Sequence, residues 1–474
     1  MSSLEFLMVL SAIVLVIARW FPLSVRRPVA MAGGVVFVIS GTVLSVTGMR
    51  WQFFPVCAGA AIAFSFTIPS LLRHRSGRPE RRVRWWLALP GSVACLGLIA
   101  VGPVAAWALP VPSFPQPSGP LAVGTSVMEW TDPDRPETAT PEPGDRRRVV
   151  VQFWYPAEKT SAEAQRAQYL GRTEHEARTV VDGLANYVGV PGFLLDGVPR
   201  ARTHSVFNAM VAKGRERFPV VLFSPGLGGV RTQNTAWAEE LASHGFVVVA
   251  LDHPYDSAVV ELADGRTIRT KVAATGDADK DEKLSVGWTK VRAADLSFVR
   301  TQLGRLERGE IAGPLTGHLD MNRVAVSGHS LGGGAALQAA RQDHRFDAVI
   351  NLDGYPGDPN PQAFPEPVLA LTQAVGPDTD PDYIPRLTRV LKLSGATSYR
   401  LTVPGAAHLS FTDSPLYMPP IPSLVGSFDR STGPRITAAA SVAFLDATLR
   451  HKPKDLATVL SAYGELTTYH PDSR

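Results

Sequence analysis

Hydrophobic residues follow two different patterns along this chain of 474 residues. Residues 1–110 hold four nearly uninterrupted apolar runs, at about 4–23, 28–48, 52–72 and 85–109. Each run has about the 20 residues that an α-helix needs to cross the hydrocarbon core of a bilayer. From about residue 121 onward, short apolar runs alternate with amphipathic stretches. The pattern predicts four transmembrane helices over 1–110 and a mixed α/β domain over 121–474.

Aromatic residues at the ends of the four runs support the membrane interpretation, because such residues form belts at membrane interfaces. These residues are Trp20, Phe21, Trp51, Phe53, Phe54, Trp85, Trp86 and Trp107. The alternative is a buried helical bundle in a soluble protein, which uncharged runs of this length disfavour. A cleavable signal peptide is also disfavoured, since the chain begins with MSSLE, without a basic segment, and three more runs follow.

Arginine distribution predicts the orientation of the helices. Residues 1–110 carry ten Arg, no Lys and two acidic residues. Six of the arginines lie in RHRSGRPERRVR (73–84) and three near the turn between the first two runs, but only Arg50 lies between the second and third. Because basic residues accumulate on the cytoplasmic side, the first and third loops are expected there. The N-terminus and everything after the fourth helix are then expected outside a cell membrane that the chain crosses several times.

Composition narrows the function classes for the remainder of the chain. Residues 111–120 are uncharged and rich in proline, which is typical of a stiff linker. Beyond residue 110 the chain has 37 basic and 41 acidic residues, so the basic character lies in the membrane part and no nucleic-acid partner is expected. Cys57 and Cys95 lie in apolar runs, which argues against a disulfide, and the sequence has no CxxC or HExxH motif. Neither a metal nor another cofactor is expected.

Short apolar segments after the linker read as strands separated by helices. Predicted strands cover 147–157, 246–254, 322–328, 346–354 and 366–373, while 218–229 reads as a strand that ends in a glycine-rich turn and 399–408 as a strand followed by a loop. Predicted helices cover 234–243, 288–308, 331–342 and 434–450. Apolar strands that alternate with helices predict a mostly parallel sheet covered on both faces. The predicted fold class is therefore α/β, after an all-α membrane region.

A Gly-x-Ser-x-Gly motif lies where one of these strands meets a helix. Gly328 and Gly332 flank Ser330 in VAVSGHSLGGGAAL (324–337). The motif alone has little specificity, but a strand before it and a helix after it are what a nucleophile elbow requires. The turn is tight, and the two glycines leave room for it. Ser330 is the predicted nucleophile, and an ordinary turn serine is the alternative.

A serine hydroxyl needs a general base and an acid that orients the base. His408 follows the last parallel strand in a loop, whereas His451 and His470 lie at or beyond the closing helix. Asp353 ends the strand after the elbow helix, and Asp252, which ends an earlier strand, is its main competitor. The chain order predicts His408 as the base and Asp353 as the acid, with a loop histidine and a turn carboxylate as the alternatives.

Two backbone amides are candidates for the stabilisation of an oxyanion. One is the amide of Leu331, directly after the serine. The other is the amide of Leu227, in the glycine-rich turn of VVLFSPGLGG (220–229). A turn of this kind, after a buried strand, exposes its N–H groups to a substrate oxygen. A flexible turn without a role is the alternative for this segment.

Five segments together resemble the platelet-activating factor acetylhydrolase family of the plasma, lipoprotein-associated type, within the α/β-hydrolase fold. They are FWYPA (153–157), VVLFSPGLGG (220–229), GHSLGGGAA (328–336), LDGYP (352–356) and GAAHLSF (405–411). The resemblance covers roughly 140–450 and implies the same triad of Ser330, Asp353 and His408, with Leu227 and Leu331 at the oxyanion. Two features depart from the family: Pro225 stands where the family often has His, and the four-helix region is not part of the animal enzymes.

The function implied is a membrane-anchored serine ester hydrolase that acts through an acyl-enzyme on short-acyl lipid esters. A phospholipid or other ester is the expected substrate, and the bilayer is the expected partner. A general carboxylesterase, or a polyester or cutinase-like hydrolase with a similar elbow, is the first alternative. A hydrolase-like domain that only binds or scaffolds is the second. The insertion 158–217, with its apolar stretch 185–199, and the stretch 417–426 are candidate lid elements, with ordinary packing as the alternative.

Overall fold

The computed structural model describes residues 1–75, 85–159, 161, 164–214, 217–376, 380–452 and 455–471. The chain forms two compact units. The first consists of Met1–Val111 and the short segment Phe193–Gly197, and the second of Pro112–Gly192 and Val198–Arg474.

The first unit is built from helices: α1 (Ser3–Ile17), α2 (Leu23–Thr47), α3 (Phe54–Arg75) and α4 (Trp85–Ala108). Three helical segments in the described part are long and apolar enough to cross a membrane, namely Ser3–Trp20, Ser24–Thr47 and Ala88–Ala108. These are the first, second and fourth of the predicted spans, and the third stays a prediction. The apolar stretch at α3, Trp51–Phe66, is shorter, and the rest of the predicted run 52–72 reaches residues whose side chains are not described. Most of the arginine-rich loop, residues 76–84, lies outside the described residues.

Polar contacts bring three parts of the helical unit to the same end. Ser2 and Glu5 form a capping box at the start of α1. The Glu5 carboxylate lies 3.6 Å from the Arg50 guanidinium, which also donates to the Leu109 carbonyl at 2.9 Å. The start of α1, the connection between α2 and α3 and the end of α4 therefore lie together.

The second unit contains thirteen strands and eight helices in the described residues. The strands are β1 (Ala122–Pro136), β2 (Arg146–Ala157), β3 (Arg166–Gln168), β4 (Arg202–Phe207), β5 (Phe218–Ser224), β6 (Val247–Asp252), β7 (Val259–Glu261), β8 (Thr267–Arg269), β9 (Leu319–His329), β10 (Ala348–Leu352), β11 (Val368–Gln373), β12 (Ser398–Val403) and β13 (Glu465–Tyr469). The helices are α5 (Glu174–Val188), α6 (Thr235–Ser243), α7 (Ala278–Glu307), α8 (Leu331–Gln342), α9 (Tyr383–Lys392), α10 (Pro422–Val425), α11 (Thr432–Thr448) and α12 (Leu456–Ser461).

Eleven strands form one sheet in the order β13-β12-β11-β10-β9-β5-β6-β2-β1-β4-β3. The six strands from β12 to β6 are parallel to their neighbours, whereas β2 pairs antiparallel with β6 and β13 pairs antiparallel with β12. The predicted mostly parallel sheet is therefore confirmed. Because the strands are parallel, their carboxyl ends meet at one edge of the sheet, where ligands bind in folds of this kind.

Helices cover both faces of this sheet, as expected for α/β folds. Side chains alternate along a strand, so successive residues of β5 enter different cores. Leu222 packs with Leu296 and Leu303 of α7, whereas Phe223 packs with Trp237 of α6 and Phe444 of α11. Packing on both faces therefore fixes the positions of the strand ends at which the candidate site lies.

Several elements were not predicted from the sequence. β1 is long but mixes polar and apolar residues, and its pairing with β2 along most of its length determines its conformation. α7 begins at Ala278, about ten residues before the predicted start. Its first turns are polar, so the spacing of apolar residues does not reveal them. Asp277 caps this end of the helix by accepting from the Lys280 amide at 3.1 Å. α5, α9 and β13 were also missed. The insertion 158–217 contains β3, α5 and β4.

Candidate active site

Ser330 lies in a strained turn between β9 and α8. Its φ is +54°, in the left-handed region that residues with a side chain rarely adopt. Its amide donates to the Leu352 carbonyl at 2.9 Å, which ties the turn to the end of β10. Ser330 is half-buried. The motif thus has the strand, the sharp turn and the helix of a nucleophile elbow.

Gly328 and Gly332 permit the close packing around this turn. A Cβ on Gly332 would overlap the carbonyl oxygens of Ser224 and Pro225. A Cβ on Gly328 would lie 2.7 Å from the Ser224 carbonyl oxygen and overlap Gly332 itself. Any other residue at either position would push β9 and α8 away from the end of β5, so the elbow requires both glycines.

Asp353 and His408 are joined by a hydrogen bond. The distance between His408 Nδ1 and Asp353 Oδ2 is 2.7 Å. The other carboxylate oxygen, Oδ1, accepts from the Gln373 amide at 3.1 Å and from the Tyr383 hydroxyl at 3.2 Å. Burial, followed by the nearby Asp353 charge, raises the pKa of Tyr383 well above its ordinary value, so this hydroxyl stays a donor. The Asp353 side chain is only 1% exposed, whereas that of His408 is 40% exposed.

The backbone places this pair beside the serine. β9 and β10 are neighbours in register at His329 and Leu352, the residues directly before Ser330 and Asp353. The rings of His329 and His408 have centroids 4.6 Å apart. In the described part of the chain the Ser330 hydroxyl has no hydrogen-bond partner, and such bonds often tighten only when substrate binds. The structure thus brings Ser330, Asp353 and His408 to one edge of the sheet.

Asp252, the competing acid, is committed elsewhere. Its carboxylate accepts from the Arg231 amide at 2.6 Å and pairs with the Arg231 guanidinium. It is fully buried at the end of β6. The geometry therefore favours Asp353 over Asp252 as the partner of His408.

His329 supports the site as a neutral residue. Burial, followed by the proximity of His408, lowers the pKa of His329 well below its ordinary value. Its Nε2 lies 3.0 Å from the His408 carbonyl oxygen, and its Nδ1 lies 2.8 Å from the Gln233 side-chain nitrogen. These partners require a proton on Nε2 and a lone pair on Nδ1. His329 thus connects the loop that carries His408 with Gln233, whose Oε1 accepts from the Gly226 amide at 3.2 Å.

The turn after β5 offers the predicted amide donor. A Cβ on Gly226 would lie 3.4 Å from the Ser330 Cβ, so the turn borders the serine. Gly228 has a φ of +68°, which gives the turn its direction. Within the described residues, neither the Leu227 amide nor the Leu331 amide has an acceptor in the chain, and both residues are half-buried. Both N–H groups are therefore free to bind a substrate oxygen.

A second serine–histidine–aspartate arrangement lies behind this turn, and the sequence did not reveal it. Ser224 Oγ lies 2.9 Å from His253 Nε2, and His253 Nδ1 lies 2.7 Å from Asp295 Oδ2. All three residues are fully buried, so no ester reaches them. His253 lies at the end of a predicted strand, which was a signal, but nothing in the sequence indicates that Asp295, on a helix, faces it.

Charge compensation fixes the protonation of this buried group. Burial alone would raise the pKa of Asp295, but Arg147, at 2.7 Å, holds it far below its ordinary value. Burial, followed by the Arg292 charge, lowers the pKa of His253 despite the Asp295 carboxylate. His253 is therefore neutral and donates Nδ1–H to Asp295. Among the described residues, no group of three or more His, Cys, Asp or Glu side chains is placed to hold a metal ion.

Known proteins with similar sequences are esterases and acetylhydrolases. A probable 1-alkyl-2-acetylglycerophosphocholine esterase of Arthroderma benhamiae is 30% identical over 251 residues. A platelet-activating factor acetylhydrolase of Bos taurus is 26% identical over 278 residues. Each alignment covers 51% of this chain, and 58% and 60% of the respective relatives. The chain thus matches less than two thirds of the length of either relative.

A solved structure and a family profile extend the comparison. The ferulic acid esterase of Streptomyces cinnamoneus superposes with a TM-score of 0.60 and 28% identity, over 76% of this chain and 99% of its own. This similarity confirms an esterase-like α/β fold. The profile of platelet-activating factor acetylhydrolase, isoform II, matches residues 109–300 and 309–457, which include every candidate site residue. The chain therefore belongs to the platelet-activating factor acetylhydrolase, isoform II, family.

Proposed function

We propose that the chain hydrolyses carboxylic esters with Ser330 as nucleophile, His408 as general base and Asp353 as the acid that orients it. One observation carries the proposal: a half-exposed histidine hydrogen-bonded to a buried carboxylate stands beside a serine held at positive φ. The strained backbone at Ser330 costs stability, and residues held in such strained conformations are common at functional sites. Family membership supports the same chemistry.

Acylation begins when His408 Nε2 takes the proton of the Ser330 hydroxyl and the serine oxygen attacks the ester carbonyl carbon. The carbonyl oxygen becomes an oxyanion, which the N–H groups of Leu227 and Leu331 stabilise. The imidazolium then protonates the leaving alcohol, and an ester between Ser330 and the acyl group remains. Asp353 keeps the proton of His408 on Nδ1 and stabilises the imidazolium through the 2.7 Å hydrogen bond.

Deacylation repeats these steps with water. His408 takes a proton from the water, the hydroxide attacks the acyl carbon, and Ser330 leaves with the proton returned by His408. Gln373 and Tyr383 hold Asp353 in place during both half-reactions, because each donates to Oδ1 and leaves Oδ2 to the histidine. The carboxylic acid and the free enzyme are the products.

Short-acyl lipid esters are the proposed substrates. The Arthroderma relative is named for a 1-alkyl-2-acetylglycerophosphocholine, whose acetyl ester sits on a lipid. Apolar helices at the N-terminus would keep the site near such lipids. A general carboxylesterase is the second candidate, because the similar Streptomyces structure is a ferulic acid esterase.

Hydrolysis of p-nitrophenyl esters from acetyl to palmitoyl by the full-length chain tests the proposal. Ser330→Ala is expected to abolish turnover, whereas Ser126→Ala, a buried serine on β1 without a hydrogen-bond partner in the described chain, is expected to retain it. Activity that survives in Ser330→Ala would refute the nucleophile. A preference for short chains supports the acetylhydrolase-like substrate, and a preference for long chains points to a lipase. No turnover by a folded wild-type chain would favour a binding or scaffold role.

We also propose a multi-pass cell-membrane location with the second unit on the extracytoplasmic side. The arginine distribution supports this orientation. Glu142→Cys, in an exposed loop of the second unit, is expected to react with an impermeant thiol reagent on intact cells. Ser76→Cys, in the arginine-rich loop, is expected to react only after permeabilisation. The opposite labelling pattern would reverse the orientation.

The prediction that 158–217 contains a lid also stays a proposal. The ring of Tyr187, near the end of α5, packs against Gly228 in the turn that follows β5 (225–229, called the oxyanion turn below). This part of the insertion therefore borders the site. Deletion of 185–199 is expected to change the ratio of activities on lipid and soluble esters. An unchanged ratio would show that the segment only packs against the sheet.

A further inference from the structure

Arg292 reaches the oxyanion turn from the middle of α7, although it is completely buried. Its guanidinium donates to the Pro225 carbonyl, to the Gly226 carbonyl at 3.0 Å and to the Ser224 hydroxyl at 3.3 Å. Asp256 balances its charge through two hydrogen bonds of 2.6 and 2.7 Å. A buried charge is retained only when it is paired in this way. Arg292 thus donates three hydrogen bonds to the three residues that precede Leu227.

Peptide geometry converts these contacts into a direction for the Leu227 amide. The described chain has no cis peptide bonds, so the C=O and N–H of each peptide unit point in opposite directions. The Gly226 carbonyl points at Arg292 and also accepts from the Gly229 amide at 2.9 Å. The N–H of the same peptide unit belongs to Leu227, and it points away from Arg292. In the preceding unit, Arg292 holds the Pro225 carbonyl, and the Gly226 N–H goes to Gln233.

The buried serine, histidine and aspartate complete this arrangement. Because Ser224 Oγ accepts from Arg292, its own proton is available to His253 Nε2 at 2.9 Å. His253 in turn donates to Asp295 at 2.7 Å. In the series Arg292, Ser224, His253 and Asp295, each hydrogen bond between successive groups thus has a defined donor and acceptor. The end of β5 is therefore held from behind by a fully satisfied polar network.

We infer that Arg292 is a positioning residue that turns the Gly226–Leu227 peptide so that its N–H serves the oxyanion. This inference rests on the proposed function, because it assigns a role only if Ser330 attacks an ester. Arg292 acts through the backbone and does not touch the substrate. Its contribution therefore belongs to the transition state, where charge develops on the carbonyl oxygen.

Lysine cannot replace the arginine in this role. A guanidinium is a planar fork with five N–H donors, and here it spans two carbonyls, a hydroxyl and a carboxylate. An ammonium concentrates three donors at one point and would leave at least one carbonyl without its partner. Loss of a whole oxyanion donor costs about 10²–10³ in kcat, so a misdirected one is expected to cost about 10- to 100-fold.

The test uses the full-length chain in detergent and the variant Arg292→Lys. Stopped-flow release of p-nitrophenol from the acetyl ester gives the acylation rate and the half-saturating substrate concentration. We expect the acylation rate to fall by about 10- to 100-fold while half-saturation changes less than about twofold. A trifluoromethyl ketone provides a second readout. The Ser330 oxygen adds to its carbonyl carbon, the serine proton passes to His408, and the carbonyl oxygen becomes an oxyanion, so its affinity should fall in proportion to the acylation rate.

Two further variants make the outcome decisive. Arg341→Lys changes another buried arginine, which lies at the end of α8 and pairs with Asp358. We expect this variant to keep the acylation rate and the affinity for the trifluoromethyl ketone unchanged. Asp256→Asn keeps the arginine but removes its ionic partner, and a smaller loss in the same two readouts is expected. Unchanged acylation in Arg292→Lys would overturn the inference, and so would a failure of both Arg292→Lys and Asp256→Asn to fold, which would assign the arginine to stability. Ser330→Ala, measured in parallel, tests the proposed function by itself.

Discussion

Replacement of Asp353 by asparagine separates the orientation of His408 from the shape of the site. The two side chains have nearly the same volume, and the amide oxygen can still accept from Gln373 and Tyr383 on the Oδ1 side. The amide nitrogen then takes the position of Oδ2 and faces His408 Nδ1. Because this nitrogen is a donor, Nδ1 must become the acceptor and the proton of the imidazole must move to Nε2. That is the nitrogen that has to accept the serine proton.

The expected loss follows from this wrong tautomer. The same carboxylate-to-amide change in a serine protease triad lowers kcat about 10⁴-fold. A loss of this size corresponds to about 5 kcal/mol of transition-state stabilisation at 25 °C. Stability should change much less, because two of the three hydrogen bonds of the side chain persist and one hydrogen bond to a charged group contributes about 1.5–3 kcal/mol.

Steady-state hydrolysis of p-nitrophenyl acetate measures the effect, and urea unfolding of the same preparation measures stability. Asp347→Asn is the matched control, since Asp347 precedes the opposite end of β10 and its carboxylate accepts from the Val324 amide at 2.8 Å. Its kcat should stay within about twofold of wild type, because Asp347 does not face His408. A loss of less than tenfold in folded Asp353→Asn would show that His408 is oriented by something other than this carboxylate, and the reasoning would fail.

Two further predictions concern stability. Gly332→Ala should destabilise the fold by about 1–3 kcal/mol, because the added Cβ overlaps backbone carbonyls, and it should abolish activity. Gly287→Ala, inside α7 with open space around the added Cβ, should stabilise the fold by about 1 kcal/mol. Thermal melts that rank the two variants the other way would contradict the packing described. The pKa values of His253 and His329 are lowered by burial, so the folded state keeps both neutral while the unfolded state takes up protons below about pH 6.5. Stability should therefore be unaffected above this pH and fall below it by up to about 1.4 kcal/mol per pH unit for each histidine. Urea titrations between pH 7 and 5 measure this slope, and His329→Gln should reduce it; an unchanged slope in that variant would show that His329 titrates normally.

Local sequence signals predicted the elbow and the order of the candidate site residues along the chain. The strand before Ser330 and the helix after it differ in periodicity, and the glycines at 328 and 332 mark the turn between them. Asp353 and His408 could be chosen because each follows a buried strand, and carboxyl ends of parallel strands meet at one edge. These choices needed only the pattern of one segment at a time.

Contacts between distant segments could not be predicted in this way. Arg292 and Asp295 lie on α7, where polar residues usually face solvent, yet both are fully buried against β5 and the turn after β6. Their partners are more than 40 residues away in the chain, except Asp256, at 36. No spacing rule identifies such pairs in a single sequence. β1 was missed for the same reason, because its pairing with β2 determines its conformation.

The buried Ser224–His253–Asp295 group has a consequence for the recognition of serine hydrolases by geometry. A search for three side chains at hydrogen-bonding distances would return this buried group, whereas at Ser330 only the distance between His408 and Asp353 meets the criterion. The buried serine has ordinary strand geometry at the end of β5, whereas Ser330 has positive φ and partial exposure. A fluorophosphonate probe should therefore modify one serine per chain, and peptide mapping should locate the label at Ser330 alone. Triad templates thus discriminate between sites only when backbone conformation and solvent access are matched together with the distances.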